Sequence, residues 1–354
     1  MTSMTKRLSQ IDSIRAIAIL SVIMIHVSGP YAAGNRIAYY INQLVRYAVP
    51  IFVILSGFSL YYSDLNRAND PCLVFYGKRL KKIFIPYVIW SLLFILYFRV
   101  TSGKSVNLMS IPRTLLYGQA SYHLYFIIII MQLYLLYPLL RMLFKRFSGL
   151  VTAITFIITL YYQIQIYLYA MKIRLPIIHL IFDDYMVIFT WIFYFTFGMY
   201  LAKKPKILQF GLKHKILTII VWCFSLGVLI LDSRLTGTYD LSIRPSVILF
   251  SLASFFFFYQ IGDFIKNGIP GIEKVLGYIS DNSFFIYFSH AMILSVILKY
   301  IKPGPVGVIF NGGAGMILLF IFTSLLTFLL VRVAAFIPFN AYLGLKGSKR
   351  MKAF

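Results

Sequence analysis

Carboxylates are scarce in this chain: ten aspartates and glutamates stand against 34 lysines and arginines in 354 residues, a formal net charge of +24. Cysteine is scarcer still. Cys72 and Cys223 are the only two, one in a predicted loop and the other inside an apolar run, so a disulfide between them is not expected and redox chemistry gains no support. Histidines, cysteines and carboxylates nowhere fall at the spacing of metal ligands, so no metal site is expected. Long polar stretches are missing too. No repeat, low-complexity segment or linker is apparent, and the longest loops, Ser63 to Lys82 and Thr101 to Ser121, are too short for an independent soluble domain. Any chemistry belongs to the apolar segments and their connections.

Those segments dominate what is present. The chain is 60% hydrophobic, with a mean hydropathy of +0.83, well above the roughly 45 to 50% apolar content of a soluble domain. Apolar runs fall at about 11–28, 44–62, 83–100, 122–140, 150–170, 185–202, 216–232, 244–262, 280–300 and 313–336. At about 1.5 Å per residue each is long enough, or nearly so, to cross a hydrocarbon slab of about 30 Å. A segment alone in lipid must satisfy its own backbone hydrogen bonds, and these long continuous runs are unlike the short alternating strands of a barrel. The expected fold class is therefore all-α: a polytopic integral membrane bundle of about ten transmembrane helices, with residues 1–354 forming one transmembrane domain.

In a soluble protein such a positive charge would suggest nucleic acid. Its placement argues otherwise. Of the 34 basic residues, 21 fall in alternate segments that include both termini, against seven in the opposite loops. This positive-inside asymmetry puts both termini in the cytoplasm and makes membrane lipids, not nucleic acid, the expected partner of the charge. Lys6 and Arg7 before an apolar stretch resemble a leader peptide, with Ala32 and Ala33 as a cleavage region. The first run also carries Arg15 and His26, which a disposable leader does not need, so it is read as retained.

Ionisable groups inside a membrane span each call for an explanation, because a central arginine costs about 2.5 to 3.5 kcal/mol on the insertion scale. Arg15 and His26 are 11 residues apart, which on a helix leaves about 20° between them and about 16 Å along the axis. Two readings stand: a functional face, or an arginine snorkelling to one surface with a histidine in the other interface. Ser283, Tyr287 and His290 form a second helical stripe, flanked by Asp281 and Asn282. Histidine carries protons near neutral pH and tyrosine can orient it, while interhelical hydrogen bonding explains the stripe equally well. Between Tyr76 and Pro86 lie Lys78, Arg79, Lys81 and Lys82, able to grip phosphates or to act only as a topology signal. His123 opens the fourth run beside Ser121 and Tyr122, where an interfacial aromatic belt is expected in any case. His179 and His214 fall in loops and are assigned no chemistry.

Taken in order, these motifs resemble the membrane-bound acyltransferase 3 family along most of the chain. Asp12-Ser-Ile-Arg15 through His26 resembles its signature of arginine, ten residues and histidine. Pro50 to Phe58 contains a Ser56-Gly57-Phe58 motif like the family's. Phe75 to Pro86 resembles its basic loop leading into a span, with Lys82 where the family has a second arginine. His123-Leu-Tyr-Phe126, then Tyr134 and Pro138, resembles the fourth-span pattern, with Tyr125 where many relatives have tryptophan. Ser283 to His290 resembles the late Tyr and His motif.

The resemblance implies an O-acyltransferase of the bacterial plasma membrane. It would move an acyl group, commonly acetyl, from cytoplasmic acyl-coenzyme A to a hydroxyl of an extracytoplasmic carbohydrate or cell-surface polysaccharide. Arg15, Arg79 and Lys82 are then the expected donor-binding residues, and His26, Tyr287 and His290 the catalytic set, with His26 as general base. Ser56 and His123 are expected at the substrate, with Ser56 or a backbone amide near Gly57 facing the developing oxyanion. No metal is implied, and a separate exopolysaccharide or cell-wall synthesis partner would receive the product. The rival function is export or flipping of an exopolysaccharide or lipid-linked sugar.

Overall fold

The computed structural model describes residues 8–66, 71–103, 107–173, 187–238 and 241–346. Among these there is no strand. The helices in chain order are α1 (Ser9–Ala32), α2 (Arg36–Leu44), α3 (Ala48–Asn66), α4 (Cys72–Arg79), α5 (Ile85–Ser102), α6 (Ile111–Leu116), α7 (Tyr125–Ala170), α8 (Ile192–Lys203), α9 (Lys206–Lys213), α10 (Lys215–Thr236), α11 (Pro245–Gly268), α12 (Pro270–Val296) and α13 (Gly312–Ala334).

Eight helical runs among the described residues are long and apolar enough to cross a membrane. The difference from the expected ten lies in two places. The runs at 122–140 and 150–170 are one helical stretch, α7, of 46 residues, with non-helical backbone at Phe147 (φ −124°, ψ 40°). At about 1.5 Å per residue this is about 69 Å, length enough for two bilayer crossings, with a kink between its halves. The run at 185–202 becomes α8, only 12 residues long, preceded by a tight turn at Ile188–Thr190. The start of that run, and His179, lie outside the described residues.

The basic segment is also a helix and not a loop. Gly77 alone does not end the helix, and the chain stays helical from Cys72 to Ser102 through a π turn at Leu80–Phe84. Proline has no N–H for the carbonyl four residues back, and a wider turn is one way to pass it. The Ile85 amide accordingly bonds to the Leu80 carbonyl, five residues away.

The chain forms two compact units, Met1–Asn69 with Leu136–Ser280, and Asp70–Leu135 with Asp281–Phe354. In the first, α3 packs along α8, α1 lies against α2, α3 and α11, and α10 covers α11. The α3–α8 contact is close because glycines face it. A Cβ on Gly57 would sit 2.0 Å from the Phe195 carbonyl oxygen, and one on Gly198 2.0 Å from that of Ile54. Ile14, Ile19, Ile23, Phe195, Phe250 and Phe255 fill the core. Only 17% of the α10 span is buried, against 72% of Arg36–Asn66, so α10 offers its apolar side chains to lipid. In the second unit Trp90 meets Phe285 and Phe288, at 5.6 and 6.0 Å between ring centres, and donates its indole N–H to the Leu343 carbonyl at 3.1 Å.

Candidate active site

In the first unit α1 runs as one helix through both Arg15 and His26, and each is half-buried. The Arg15 guanidinium donates to Ser59 Oγ on α3 at 2.9 Å and approaches Ser280 Oγ on α12 at 3.4 Å and Asp12 at 3.5 Å. Ser280 in turn donates to Asp12 at 2.9 Å. Three elements therefore hold one cation, and its side chain keeps 26% exposure. That is a cation fixed in place by groups on its own and neighbouring helices and still partly exposed. The snorkelling reading of Arg15 fits these contacts poorly, since they come from neighbouring helices.

Ser56 is half-buried on α3. The Gly57 amide lies mid-helix, where the helical ladder uses it, and the glycine itself is required by the approach of α8. Of the two oxyanion donors expected at this motif, the hydroxyl is the one with a hydrogen to spare.

In the second unit the structure brings His123, Tyr287 and His290 together. His123 precedes α7, and the other two lie on α12. All three are buried, with 1%, 6% and 0% exposure. The His123 ring centre is 5.3 Å from that of Tyr287 and 5.3 Å from that of His290. Phe94 and Tyr122 pack on His123 at 5.3 and 5.4 Å, and Phe126 on Tyr287 at 5.5 Å. Tyr287 donates its O–H to the His123 backbone carbonyl, which fixes the turn that presents His123. His290 Nδ1 lies 3.0 Å from the Ile286 carbonyl. A carbonyl can only accept, so Nδ1 carries a proton in this contact. Ser121 Oγ meets His123 Nδ1 at 3.2 Å. The result is a pair of imidazoles enclosed by aromatic rings, an arrangement suited to moving a proton away from water.

Arg79 and Lys82 belong to the same unit. The Arg79 guanidinium lies over Phe75 at 5.2 Å and Tyr134 at 5.4 Å, and Lys82 is exposed in the π turn. Lys78, Arg79, Lys81 and Lys82 are four cations within five residues, a concentration of positive charge on one short helical segment.

The sequence model of the acyltransferase 3 family, described as an acyltransferase domain, matches residues 8–335. The chain belongs to this acyltransferase family. Among its relatives is YfiQ of Bacillus subtilis (strain 168), provisionally named a membrane-bound acyltransferase, 25% identical over 84% of each chain. A Staphylococcus aureus (strain MSSA476) protein, provisionally named a poly-beta-1,6-N-acetyl-D-glucosamine export protein, is 26% identical over 74% of this chain and 73% of its own. A Staphylococcus epidermidis protein of the same provisional name is 26% identical over 84% of each. No solved structure matches the chain at a significant level. The acyltransferase domain therefore covers every candidate residue above.

Several polar groups at these sites escape sequence reasoning. Asp12, Ser59 and Ser280 gather at Arg15, and a second network of the first unit contains Asn42, Arg46, Asp232 and Arg244. Arg46 is 7% exposed and Arg244 0%. Their available signal is positional: each stands at the end of an apolar run, and the adjacent amides Asn42 and Gln43 precede the first of them.

Proposed function

We propose that this acyltransferase moves an acyl group, acetyl by preference, from cytoplasmic acyl-coenzyme A to a hydroxyl of an extracytoplasmic carbohydrate. In this reading it resides in the bacterial plasma membrane, crosses it about ten times, and keeps both termini in the cytoplasm. The observation that carries it lies in the first unit. One helix inside an acyltransferase domain holds a tethered arginine and, eleven residues on, a half-buried histidine.

The chemistry follows from these groups. His26 removes the proton of the acceptor hydroxyl, the oxygen attacks the thioester carbonyl, the carbon–sulfur bond breaks, and the coenzyme thiolate leaves and takes up a proton. Ser56 faces the developing oxyanion. By the family resemblance Arg15, Arg79 and Lys82 are phosphate ligands for the donor. His123 and His290 form a buried imidazole pair that assists proton transfer, and Tyr287 holds the His123 turn for it. A separate polysaccharide or cell-wall synthesis system supplies or receives the glycan.

Mass analysis of surface glycans from cells with and without the gene tests the reading. Loss of ester groups from polymer of unchanged amount is expected, and His26→Ala reproduces that loss while the protein still inserts in the membrane. An unaltered ester content in His26→Ala cells removes His26 from the mechanism. The names of the staphylococcal relatives favour a second reading, export of a polysaccharide. It predicts that the polymer itself disappears from the surface and collects inside.

A further inference from the structure

His26 sits where the backbone of α1 is interrupted. Pro30 lies inside that helix and has no amide hydrogen to close the turn onto the carbonyl four residues earlier, which is that of His26. A clamp from α2 falls on the same turn. Asn42, 1% exposed, donates through Nδ2 to the Ile25 carbonyl at 3.2 Å and to Ser28 Oγ at 2.9 Å. These two residues bracket His26.

The clamp is itself anchored. The Asn42 side-chain oxygen accepts from the Arg46 guanidinium, and Arg46 donates to Ser242 Oγ at 2.8 Å. A guanidinium can only donate, which orients the amide with its oxygen toward Arg46 and both N–H bonds toward α1. One residue along, Gln43 accepts from Arg244 at 2.9 Å, and Arg244 pairs with Asp232 at 3.7 Å. Asn42 on α2 is therefore held by Arg46, which is itself tied to Ser242 in the segment leading into α11.

We propose that Asn42 is a positioning residue for the reaction: by gripping Ile25 and Ser28 it sets the rotation of the turn that carries His26, and so the direction from which the imidazole meets the acceptor hydroxyl. The inference rests on the assignment of His26 as general base. A displacement of about 1 Å at a reacting group can cost on the order of a hundredfold in rate, so a loose turn here should be felt in turnover and not in donor affinity.

The test uses membranes bearing their endogenous glycan acceptor, supplied with radiolabelled acetyl-coenzyme A, at matched levels of wild type, Asn42→Asp, Ser28→Ala and His26→Ala. Asn42→Asp keeps an acceptor for Arg46 and removes both donors to α1. It is expected to lower the maximal rate about tenfold, leave KM for acetyl-coenzyme A within about twofold, and move the pH of half-maximal rate. Ser28→Ala loses one of the two bonds and should lower the rate about threefold, again with KM unmoved; it decides the matter alone if Asn42→Asp does not accumulate. A wild-type rate and pH profile in both variants overturns the proposal, as does a loss of rate matched by a proportional rise in KM. An active His26→Ala enzyme sinks the base assignment itself, whereas an inactive one beside wild-type-like Asn42→Asp and Ser28→Ala sinks only the positioning role. Wild-type membranes that transfer no label overturn the donor assignment.

Discussion

The polar side chains singled out in the two units are held by different means. In the first, cations are held by explicit hydrogen-bond and charge partners: Arg15 with Asp12 and Ser59, Arg141 with Asp64 at 3.2 Å, and Arg244 with Asp232 and Gln43. In the second, Arg79 lies against Phe75 and Tyr134, and the two buried histidines are surrounded by Phe94, Tyr122 and Tyr287. The difference predicts how each responds to mutation. A buried charge stripped of its partner costs about 3 to 5 kcal/mol, while a cation–π contact contributes about 0.5 to 2 kcal/mol. Loss of an ion-pair partner in the first unit should therefore cost more stability than loss of a ring contact in the second.

The largest expected effect is at Asp232. Its carboxylate accepts from Tyr167 and Ser246 and pairs with Arg244, a residue with no exposed surface. Asp232→Ala should cost about 3 to 5 kcal/mol, seen as loss of the monodisperse peak when the protein is extracted and passed through size-exclusion chromatography. A variant with wild-type thermal stability would break the contrast between the units. Next comes Gly57→Ala. The added methyl would meet the Phe195 carbonyl oxygen at 2.0 Å, a backbone atom that cannot swing aside as a flexible side chain can. A cost of about 1 to 3 kcal/mol follows, measurable as a lowered melting temperature in detergent; an unchanged one would show that α3 and α8 can part freely.

The contrast was only half visible in the chain itself. Apolar runs gave away the helices because a lipid-crossing segment must be long and continuous, and the 11-residue spacing of Arg15 and His26 needs nothing beyond helical periodicity. The structure draws the boundaries differently at α7, where two apolar runs share one helical stretch, and at α8, where the described helix is only 12 residues long. Pairing across the fold was illegible. Asp12 and Ser280 are 268 residues apart, and Gln43 and Arg244 are 201 apart, and local periodicity carries no record of such contacts. Tyr287 and His290 could be nominated together as one helical stripe, and His123 only singly, as a polar residue near the interface. Their convergence into one aromatic-lined cluster depends on α12 meeting the start of α7, which no spacing encodes.

Arg79 sharpens the comparison at its low-energy end. Its guanidinium is planar and stacks on two rings, whereas a lysine ammonium is a compact, strongly hydrated charge that cannot lie flat against them. Arg79→Lys therefore preserves the charge and loses the stacking, and the residue is only half-buried, so folding should suffer by about 1 kcal/mol or less. Donor binding should suffer more than folding, because the ring contacts fix where the charge is held. On the acyl-coenzyme A reading, KM for acetyl-coenzyme A should rise about fivefold while the maximal rate stays within about twofold, the signature of lost uniform binding. A fall in melting temperature as large as that of Gly57→Ala, with KM unmoved, would mean that the aromatic setting of Arg79 serves the fold and that the basic turn does not hold the donor.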